Sequence, residues 1–239
     1  NNIDVDYAKK KGIIVVNTPG VLTDATADLA FALILAATRR VVEGDRFLRE
    51  GKFKGWAPLL LLGKDVWGAT LGIVGAGRIG QAVGHRAKGF NMKIIYYDKF
   101  RRENFEKETG AEFVPLEKLL SQADIITIHV PLTQETYHLI GKREFALMKD
   151  GAILVNTSRG EVIDEEALIS ALKNGKIFSA ALDVFENEPD IRKELLDLPN
   201  IVLTPHIGSA TERTRRKMAE MVCNDVARVL RGEEPINKV

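Results

Sequence analysis

The sequence predicts an α/β fold organised around a doubly wound parallel β-sheet of about seven strands. Short runs of β-branched and aliphatic residues alternate along the chain with stretches of helical periodicity, which is the pattern of successive βαβ units. Several of these runs are apolar on both faces, as strands covered by helices on two sides require. The chain has 239 residues, of which 45% are hydrophobic and 28% charged, and this suffices for a substantial buried core.

The predicted elements follow one another in chain order. Strands are expected at residues 12–16, 70–74, 93–97, 124–130, 152–156, 178–182 and 201–203. Helices between them are expected at residues 78–89, 101–109, 116–121, 142–148 and 165–174. Two more helices lie outside this alternation, an alanine-rich segment at 23–50 and a segment at 209–231. The latter begins with the capping-box pattern Ser209-x-x-Glu212 and ends before Gly232.

The composition excludes several classes of function. Lysine and arginine number 34 against 33 aspartates and glutamates, so no net charge draws the chain to nucleic acid or to an anionic membrane. The single cysteine, Cys223, excludes an internal disulfide and a multi-cysteine metal site, and no metal site is expected. The longest apolar stretches, at residues 29–38 and 59–62, fall short of the roughly 18–20 residues that span a bilayer. These features favour a soluble, cytoplasmic protein that uses a cofactor.

A glycine-rich turn, Gly75-Ala76-Gly77-Arg78-Ile79-Gly80, directly follows a predicted strand and begins a predicted helix. In such a turn the first glycine allows the tight bend, the second lets the backbone approach a pyrophosphate, and the third allows close packing of helix on strand. The diphosphate then lies against free N–H groups at the start of the helix. Asp98 ends the next strand, 18 positions after Gly80, where the ribose of NAD is usually bound. The pattern predicts a Rossmann-type dinucleotide-binding domain.

The choice between NAD and NADP depends on the surroundings of Asp98. A carboxylate at the ribose repels a 2′-phosphate, so the sequence favours NAD. The basic residues Lys99, Arg101 and Arg102 follow directly and could accept such a phosphate. The sequence therefore leaves open how strict the preference for NAD over NADP is.

Polar residues also follow three later predicted strands, at the edge where an open α/β sheet binds its ligands. Arg159 stands in Asn156-Thr157-Ser158-Arg159-Gly160, and His206 stands in Thr204-Pro205-His206. Between them, Asp183 is followed by Glu186 and Glu188 ahead of Pro189. Arginine, glutamate and histidine form a coherent set for reducing a 2-oxo acid. The guanidinium binds a carboxylate in a forked geometry, the imidazole supplies a proton, and the glutamate orients the imidazole.

Four segments together resemble the D-2-hydroxyacid dehydrogenase family in their order and spacing. They are the glycine-rich turn at 75–80, residues 156–160, Ala181-Leu182-Asp183-Val184-Phe185-Glu186-Asn187-Glu188-Pro189, and Thr204-Pro205-His206-Ile207-Gly208. Supporting segments are Asn2-Ile3-Asp4-Val5, Asn17-Thr18-Pro19 and Glu135-Thr136-Tyr137-His138-Leu139-Ile140. The resemblance covers essentially the whole chain and is nearest to archaeal-type glyoxylate (hydroxypyruvate) reductases.

The resemblance implies an NAD-dependent oxidoreductase that acts on a small 2-oxo or 2-hydroxy acid, with glyoxylate and hydroxypyruvate as the expected substrates. It implies that Arg159 binds the substrate carboxylate and carbonyl, that His206 is the acid/base, and that Glu188 is the partner of His206. The cofactor contacts expected from the turn and from the resemblance are Gly75, Gly77, Arg78, Ile79, Gly80, Asp98, Val130, Thr157, Ser158 and Asp183.

A homodimer formed through residues 23–62 is also expected. The helix predicted at 23–50 presents many alanines, which allow close contact between helices. The following arm contains four consecutive leucines at 59–62, too apolar a run to leave in water. An isologous interface that buries both segments is expected, as the family resemblance also implies.

The domain organisation is expected to depart from that of the family. Family members have a flavodoxin-like substrate domain built from both chain ends, and this sequence begins after the family's glycine-containing loop that holds the substrate carboxylate. Residues 1–20 are expected to be a remnant of that domain, 21–208 the Rossmann domain with the dimerisation helix and arm at 23–62, and 209–239 a helix that returns toward the substrate domain. On this interpretation the chain binds NAD but lacks full activity by itself, and what precedes Asn1 stays open.

Two alternative functions stay open. A 3-phosphoglycerate dehydrogenase shares every motif quoted, although its phosphorylated substrate requires additional basic residues. A non-catalytic, NAD-sensing corepressor of the same fold is the alternative from a different class. The complete set of Arg159, Glu188 and His206 argues against the corepressor, and turnover of NADH with glyoxylate separates the two classes.

Overall fold

The computed structural model describes residues 3–239. Asn1 and Asn2, which belong to the expected domain remnant and to a family-like segment, lie outside the described residues. The chain divides into two compact units. The smaller unit combines Asn1–Ala25 with Ser209–Val239, and the larger unit is Thr26–Gly208.

Seven parallel strands form one sheet in the larger unit. They are β1 (Thr70–Val74), β2 (Lys93–Tyr97), β3 (Glu112–Phe113), β4 (Ile125–Ile128), β5 (Ala152–Asn156), β6 (Ile177–Leu182) and β7 (Ile201–Leu203). Their order across the sheet is β3-β2-β1-β4-β5-β6-β7, and every neighbouring pair is parallel. The winding direction reverses between β1 and β4. The predicted doubly wound parallel sheet is therefore confirmed.

Ten α-helices accompany the sheet within residues 3–239. They are α1 (Val5–Lys10), α2 (Thr23–Thr38), α3 (Val41–Arg49), α4 (Arg78–Ala87), α5 (Glu103–Thr109), α6 (Leu116–Gln122), α7 (Lys142–Leu147), α8 (Glu165–Lys173), α9 (Lys193–Leu196) and α10 (Glu212–Leu230). Two short 3-10 helices span Lys88–Phe90 and Gly160–Val162. Across the same residues, no helix combines the length and the apolar character needed to cross a membrane.

Both faces of the sheet are covered because alternate residues of its central strands point to opposite layers. Ile73 of β1 and Val155 of β5 are buried in one layer, with side chains of α2, α4 and α5. Val74 and Leu154, their immediate neighbours in the chain, are buried in the other layer with side chains of α6, α7 and α8. This two-sided burial explains why the strands read as continuous apolar runs.

The predicted strand at 12–16 is wrong. Of those residues only Val16 pairs, through an isolated antiparallel bridge to Lys238 in the smaller unit. The seventh strand is β3 instead, a pair of exposed residues at the sheet edge beside β2. A two-residue edge strand has no hydrophobic periodicity, because one neighbour supplies all its backbone hydrogen bonds and neither face is buried.

The single helix predicted at 23–50 is also wrong, because the structure divides it into α2 and α3. Arg40 has a left-handed backbone conformation (φ 54°) that separates the two helices. The backbone N–H of Lys64 donates to the carbonyl of Thr38 at 2.9 Å. The Arg40 guanidinium pairs through two nitrogens with Glu43 in the first turn of α3. The returning chain thus contacts the end of α2, and no local pattern indicates such a distant contact.

In the smaller unit, α10 fixes the end of the chain. Asp225 is buried on α10 and accepts hydrogen bonds from the backbone N–H of Ile236 and from the side-chain amide of Asn237. The hydrogen bond from Asn237 lowers the pKa of Asp225. The helix begins after Thr211, whose hydroxyl accepts from the N–H of Thr214 (3.2 Å), so the predicted cap at Ser209 is wrong. The reason is that extended backbone at Thr211 interrupts the expected first turn.

Candidate functional site

The predicted site residues of the larger unit lie in loops that follow β1, β2, β4, β5, β6 and β7. Because all seven strands are parallel, their carboxyl ends share one edge of the sheet. A doubly wound sheet binds ligands at this edge, beside the point where its winding reverses. The reversal here lies between β1 and β4, and the glycine-rich turn follows β1 directly.

Each glycine of the turn is required for a different physical reason. Gly75 has a φ of 97°, and a Cβ there would lie 2.7 Å from the backbone nitrogen of Val130. A Cβ on Gly80 would lie 2.1 Å from the carbonyl oxygen of Gly75, so a larger residue would push α4 away from the turn. Gly77, in contrast, has no atom within 4 Å of its Cβ position. The space over Gly77 is therefore available to a ligand.

Asp98, at the end of β2, is bound to the glycine-rich turn. One carboxylate oxygen accepts a hydrogen bond from the backbone N–H of Ala76 (2.9 Å), and the other accepts from the N–H of Phe100 (3.1 Å). A guanidinium nitrogen of Arg102 lies 3.3 Å from both oxygens. The acidic residue thus contacts the turn directly, and a basic residue stands beside it.

A cavity of about 330 Å³ lies between the turn and the loops after β2 and β4. Gly75, Gly77, Asp98 and Val130, which the sequence predicts as cofactor contacts, line it. His129 also lines it, and burial lowers the pKa of His129 to about 3. Its Nε2 lies 2.8 Å from the Thr127 hydroxyl. His129 is therefore uncharged at neutral pH and forms part of the cavity wall.

The sequence patterns assigned no role in the site to Pro131, Thr133 and Thr136, which also line this cavity. The Thr136 hydroxyl donates to the carbonyl of Pro131 (2.6 Å) and accepts from the backbone N–H of Thr133 (2.8 Å), which closes a compact turn. Both threonines line the cavity. The available signal was their position directly after a predicted strand, at the edge of the sheet that binds ligands.

The residues present fit a dinucleotide. The start of α4, with Arg78 and Ile79 as its first residues, has no side-chain cap, so its N–H groups are available to a diphosphate. The hydroxyl of Thr157 is buried, and no hydrogen-bond partner for it exists in the described part of the chain. A buried hydroxyl without a hydrogen-bond partner destabilises the folded state unless a ligand supplies the missing hydrogen bond. Nowhere in residues 3–239 do three potential metal ligands gather.

The loop after β5 presents Arg159. Asn156, fully buried, donates from its side-chain amide to the carbonyl of Arg159 (2.8 Å) and accepts from the N–H and hydroxyl of Ser158. The Arg159 guanidinium donates to the Ser158 carbonyl (2.6 Å) and is exposed. A Cβ on Gly160 would lie 1.9 Å from the carbonyl carbon of Phe185, so this loop rests on the backbone of the loop after β6.

Glu188 and His206 are in direct contact. A carboxylate oxygen of Glu188 lies 2.8 Å from Nδ1 of His206, and its other oxygen accepts from the backbone N–H of Phe185 (3.0 Å). Because an ionised carboxylate only accepts, Nδ1 carries the proton and Nε2 is the nitrogen presented to a ligand. About half of the His206 side chain is exposed. No hydrogen bond or ion pair joins Arg159 to either residue within residues 3–239.

Asp183 holds the loop that carries His206. It is fully buried after β6, and its two oxygens accept hydrogen bonds from the Thr204 hydroxyl and from the backbone N–H groups of Ile207 and Gly208, each at 2.7–2.8 Å. His206 itself has a left-handed backbone conformation (φ 52°). The role of Asp183 as a cofactor contact stays a prediction, since its observed partners all belong to this loop.

Residues 31–208 match the family described as D-isomer specific 2-hydroxyacid dehydrogenase, NAD binding domain. The chain is 60% identical over 241 residues to the glyoxylate reductase of Korarchaeum cryptofilum, covering 100% of this chain and 73% of that protein. It superposes on the TT0316 protein of Thermus thermophilus with a TM-score of 0.93 at 49% identity, over 99% of this chain and 75% of that one. The D-lactate dehydrogenase of Aquifex aeolicus, complexed with NAD and lactic acid, gives 0.89 at 35% identity, over 99% and 76%. The expected family and its NAD cofactor are thereby confirmed.

Proposed function

The chain belongs to the D-isomer specific 2-hydroxyacid dehydrogenases through its NAD-binding domain, and on that premise we propose that it reduces a small 2-oxo acid, glyoxylate or hydroxypyruvate, with NADH. Its similarity to a glyoxylate reductase at 60% identity supports this choice of substrate. The observation that carries the proposal is the contact between Glu188 and His206, because it supplies an oriented proton donor at the ligand-binding edge of the sheet.

His206 is the proposed acid. NADH, when bound, supplies a hydride to the carbonyl carbon of the substrate. His206 donates its Nε2 proton to the carbonyl oxygen, where negative charge develops. Glu188 accepts the hydrogen bond from Nδ1, which fixes the ring orientation and stabilises the imidazolium form before the proton leaves. In the reverse direction the same pair removes the hydroxyl proton.

Arg159 is the proposed binder of the substrate. Its exposed guanidinium matches a carboxylate in a forked geometry and polarises the adjacent carbonyl. Asn156 and Ser158 hold the backbone from which Arg159 projects, so the side chain starts from a fixed position. The proposed cofactor contacts are the residues expected from the sequence: Gly75, Gly77, Arg78, Ile79, Gly80, Asp98, Val130, Thr157, Ser158 and Asp183.

The smaller unit is proposed to belong to a flavodoxin-like substrate domain, which refines the expected division at residues 20 and 208. Large apolar side chains that remain exposed on this unit support the assignment, among them Leu230 and Ile236. A homodimer through residues 23–62 and a cytoplasmic location complete the proposal. The exposure of Trp56 (85%) and Leu59 (78%) in the arm supports the dimer.

His206→Asn in the full-length protein tests the mechanism. We expect kcat for glyoxylate to fall by about 10²–10⁴-fold, the usual contribution of general acid catalysis, because asparagine cannot donate a proton of suitable acidity. The Kd of NADH, measured by fluorescence titration, is expected to change little. The matched control is His85→Asn on α4, because its exposed imidazole pairs with Glu108 (3.2 Å) and His85 is not among the proposed site residues.

Either of two experimental results would contradict the proposed function. Loss of NADH binding in His206→Asn to the same degree as loss of turnover would make His206 a structural residue. Absence of glyoxylate and hydroxypyruvate reduction by the unmodified full-length protein would exclude the proposed substrates.

A further inference from the structure

A second histidine–glutamate pair uses the same loop after β6 as the first. Nε2 of His138 lies 2.5 Å from a carboxylate oxygen of Glu186, two residues before Glu188 in the loop after β6. Glu186 is nearly buried, and His138 is about one-third exposed. Tyr137 stacks on the His138 ring with a centroid separation of 4.1 Å. The proposed mechanism uses none of these residues.

Two further charged groups complete the cluster. Arg192 lies 3.6 Å from the second carboxylate oxygen of Glu186 and 3.5 Å from Glu165, the first residue of α8. Glu165 is buried, and this burial raises its pKa. Two carboxylates therefore face one arginine and one histidine, so loss of the histidine leaves a nearly buried carboxylate with a single, distant cation.

The cluster holds the loop after β6 through its backbone. The N–H of Glu186 donates to Glu165 (2.9 Å), whereas the preceding N–H, that of Phe185, donates to Glu188 (3.0 Å). Two consecutive amides are thus bound by carboxylates of two different segments, the loop itself and α8. The direction in which Glu188 projects toward His206 depends on how Glu165 and Glu186 hold this peptide.

The same cluster reaches the loop that carries Arg159. The backbone N–H of His138 donates to the carbonyl of Glu161 (2.8 Å), directly after the Arg159–Gly160 turn. His138 has a left-handed backbone conformation (φ 49°), which residues with a side chain adopt uncommonly. Since Gly160 packs on the backbone of Phe185, His138 joins both loops of the proposed site at one place.

We propose that His138 and Glu186 are positioning residues for the reaction. By pairing with each other they hold Glu188 against His206, and they keep the Arg159 loop in a fixed position relative to that pair. This inference rests on the proposed function for its effect on turnover. Neither residue is expected to touch the substrate. Their effect reaches the reacting atoms through the peptide between Phe185 and Glu188.

The test compares His138→Ala with His138→Gln in the full-length protein, because glutamine keeps an N–H donor for Glu186 and alanine removes it. We expect His138→Ala to lower kcat by about 10–100-fold, the range for a catalytic group displaced by about 1 Å, while the Kd of NADH stays within about twofold. His138→Gln is expected to recover most of that loss. The matched control is His85→Ala, which breaks a histidine–glutamate pair on the surface of α4.

A second measurement does not depend on turnover. The sequence contains four histidines, so the ¹⁵N signals of the imidazole nitrogens can be assigned by substitution, with His206→Asn identifying those of His206. The Nδ1 signal of His206 reports its hydrogen bond to Glu188. We expect this signal to move in His138→Ala and to stay near its original position in His138→Gln and His85→Ala.

The outcomes separate this inference from the proposed function. An unmodified protein that fails to reduce 2-oxo acids, but whose His206 signal still responds to His138→Ala, contradicts the function and supports the positioning role. An unchanged His206 signal and unchanged kcat in a folded His138→Ala variant overturn the positioning role. If His138→Ala does not fold, Glu186→Gln decides the question: the same shift of the His206 signal supports the role, and an unaltered signal overturns it.

Discussion

Asp98 makes contacts within the protein in addition to the ribose contact that the sequence pattern indicates. The spacing from the glycine-rich turn indicates a ribose-binding carboxylate, and the structure adds a hydrogen bond from the N–H of Ala76 to that carboxylate. It also adds Arg102 at 3.3 Å. If Asp98 binds the ribose as proposed, the selectivity for NADH depends on a carboxylate whose charge is partly balanced by Arg102.

Replacing Asp98 by alanine is expected to narrow the preference for NADH over NADPH. A carboxylate about 4 Å from a phosphate is repelled by roughly 4 kcal/mol at an effective dielectric constant near 20, and the substitution removes this term. We expect the ratio of kcat/KM for the two cofactors to fall by about tenfold or more. Asp124→Ala is the control, because Asp124 also accepts a hydrogen bond from a backbone N–H, that of Thr70, but at the amino end of β1 and away from the glycine-rich turn.

A full-length protein that already prefers NADPH would contradict the assignment of Asp98. Such a result would point to Lys99, Arg101 or Arg102 as the groups that bind the 2′-phosphate.

Because of His129, we expect the free energy of unfolding of the larger unit to vary with pH in the acid range. Burial lowers its pKa to about 3, whereas in the unfolded chain the pKa of histidine is about 6.5. Between these values the unfolded chain binds the proton and the folded chain does not. The free energy of unfolding therefore rises with pH across this window and falls as the pH drops below about 6.5.

His129→Gln is expected to remove this part of the acid sensitivity. At pH 5 protonation of His129 in the unfolded chain lowers the free energy of unfolding by about 1–2 kcal/mol relative to pH 7, and glutamine has no proton to gain. Urea unfolding at pH 7 and at pH 5 measures the difference for both proteins. An equal loss of stability on acidification in the two proteins would contradict the neutral, buried assignment.

At the residue scale, the sequence placed His206 and two candidate glutamates, Glu186 and Glu188, after strands, and the family resemblance selected Glu188 as the partner of His206. Sequence reasoning did not identify the partners of Asp183. The hydrogen bonds from the backbone N–H groups of Ile207 and Gly208 depend on the path of the backbone and do not require a particular residue type. The pairing of His138 with Glu186 was missed for the same reason, as 48 positions separate the two residues.

At the scale of elements, the turn between β1 and α4 contains one glycine that packing requires and another whose Cβ position is open. Gly80 is required for packing, because the Gly75 carbonyl would lie 2.1 Å from its Cβ. Gly77 meets nothing in the protein at the same position. Two neighbouring glycines of one motif therefore have different consequences when they are replaced.

Gly77→Ala is expected to weaken NADH binding by about tenfold or more while the unfolding temperature stays nearly unchanged, because the added methyl occupies only the ligand's space. Gly80→Ala is expected to lower the free energy of unfolding by about 3 kcal/mol through overpacking. Fluorescence titration and thermal unfolding of both variants measure the contrast. Tight NADH binding by Gly77→Ala would exclude this turn as the diphosphate site.

The regular elements were predictable and the interruptions were not. Buried strands such as β4 and β5 are continuous apolar runs, which the sequence displays directly. The break at Arg40 and the edge strand β3 depend instead on a backbone contact from Lys64 and on pairing with β2. Such contacts join distant positions, so no window of local sequence contains them.

At the scale of the whole molecule, the arm that follows α3 carries apolar side chains that no other part of the described chain covers. Trp56, Leu59 and Leu62 are exposed by 85%, 78% and 55%. Because water disfavours so large an apolar surface, a second copy of the chain is the expected partner.

Leu59→Glu combined with Leu62→Glu is expected to convert a dimer into a monomer, because charges introduced into an isologous interface face each other twice. Light scattering at micromolar concentration gives the mass of both proteins. Leu196→Glu is the matched control, since Leu196 on α9 is as exposed as Leu62 but lies outside residues 23–62. A stable monomer formed by the unmodified full-length protein would contradict the dimer.

The hydrogen bonds of Asp183 have a consequence for motion during turnover. Loops at the edge of a sheet are usually the parts that move, yet the segment with His206 is anchored at three points to a buried carboxylate. Its amide hydrogens should therefore exchange with deuterated solvent as slowly as those of the strands. If His206 is the proton donor, as proposed, it then keeps a fixed position, and any opening and closing during catalysis has to carry the substrate to it.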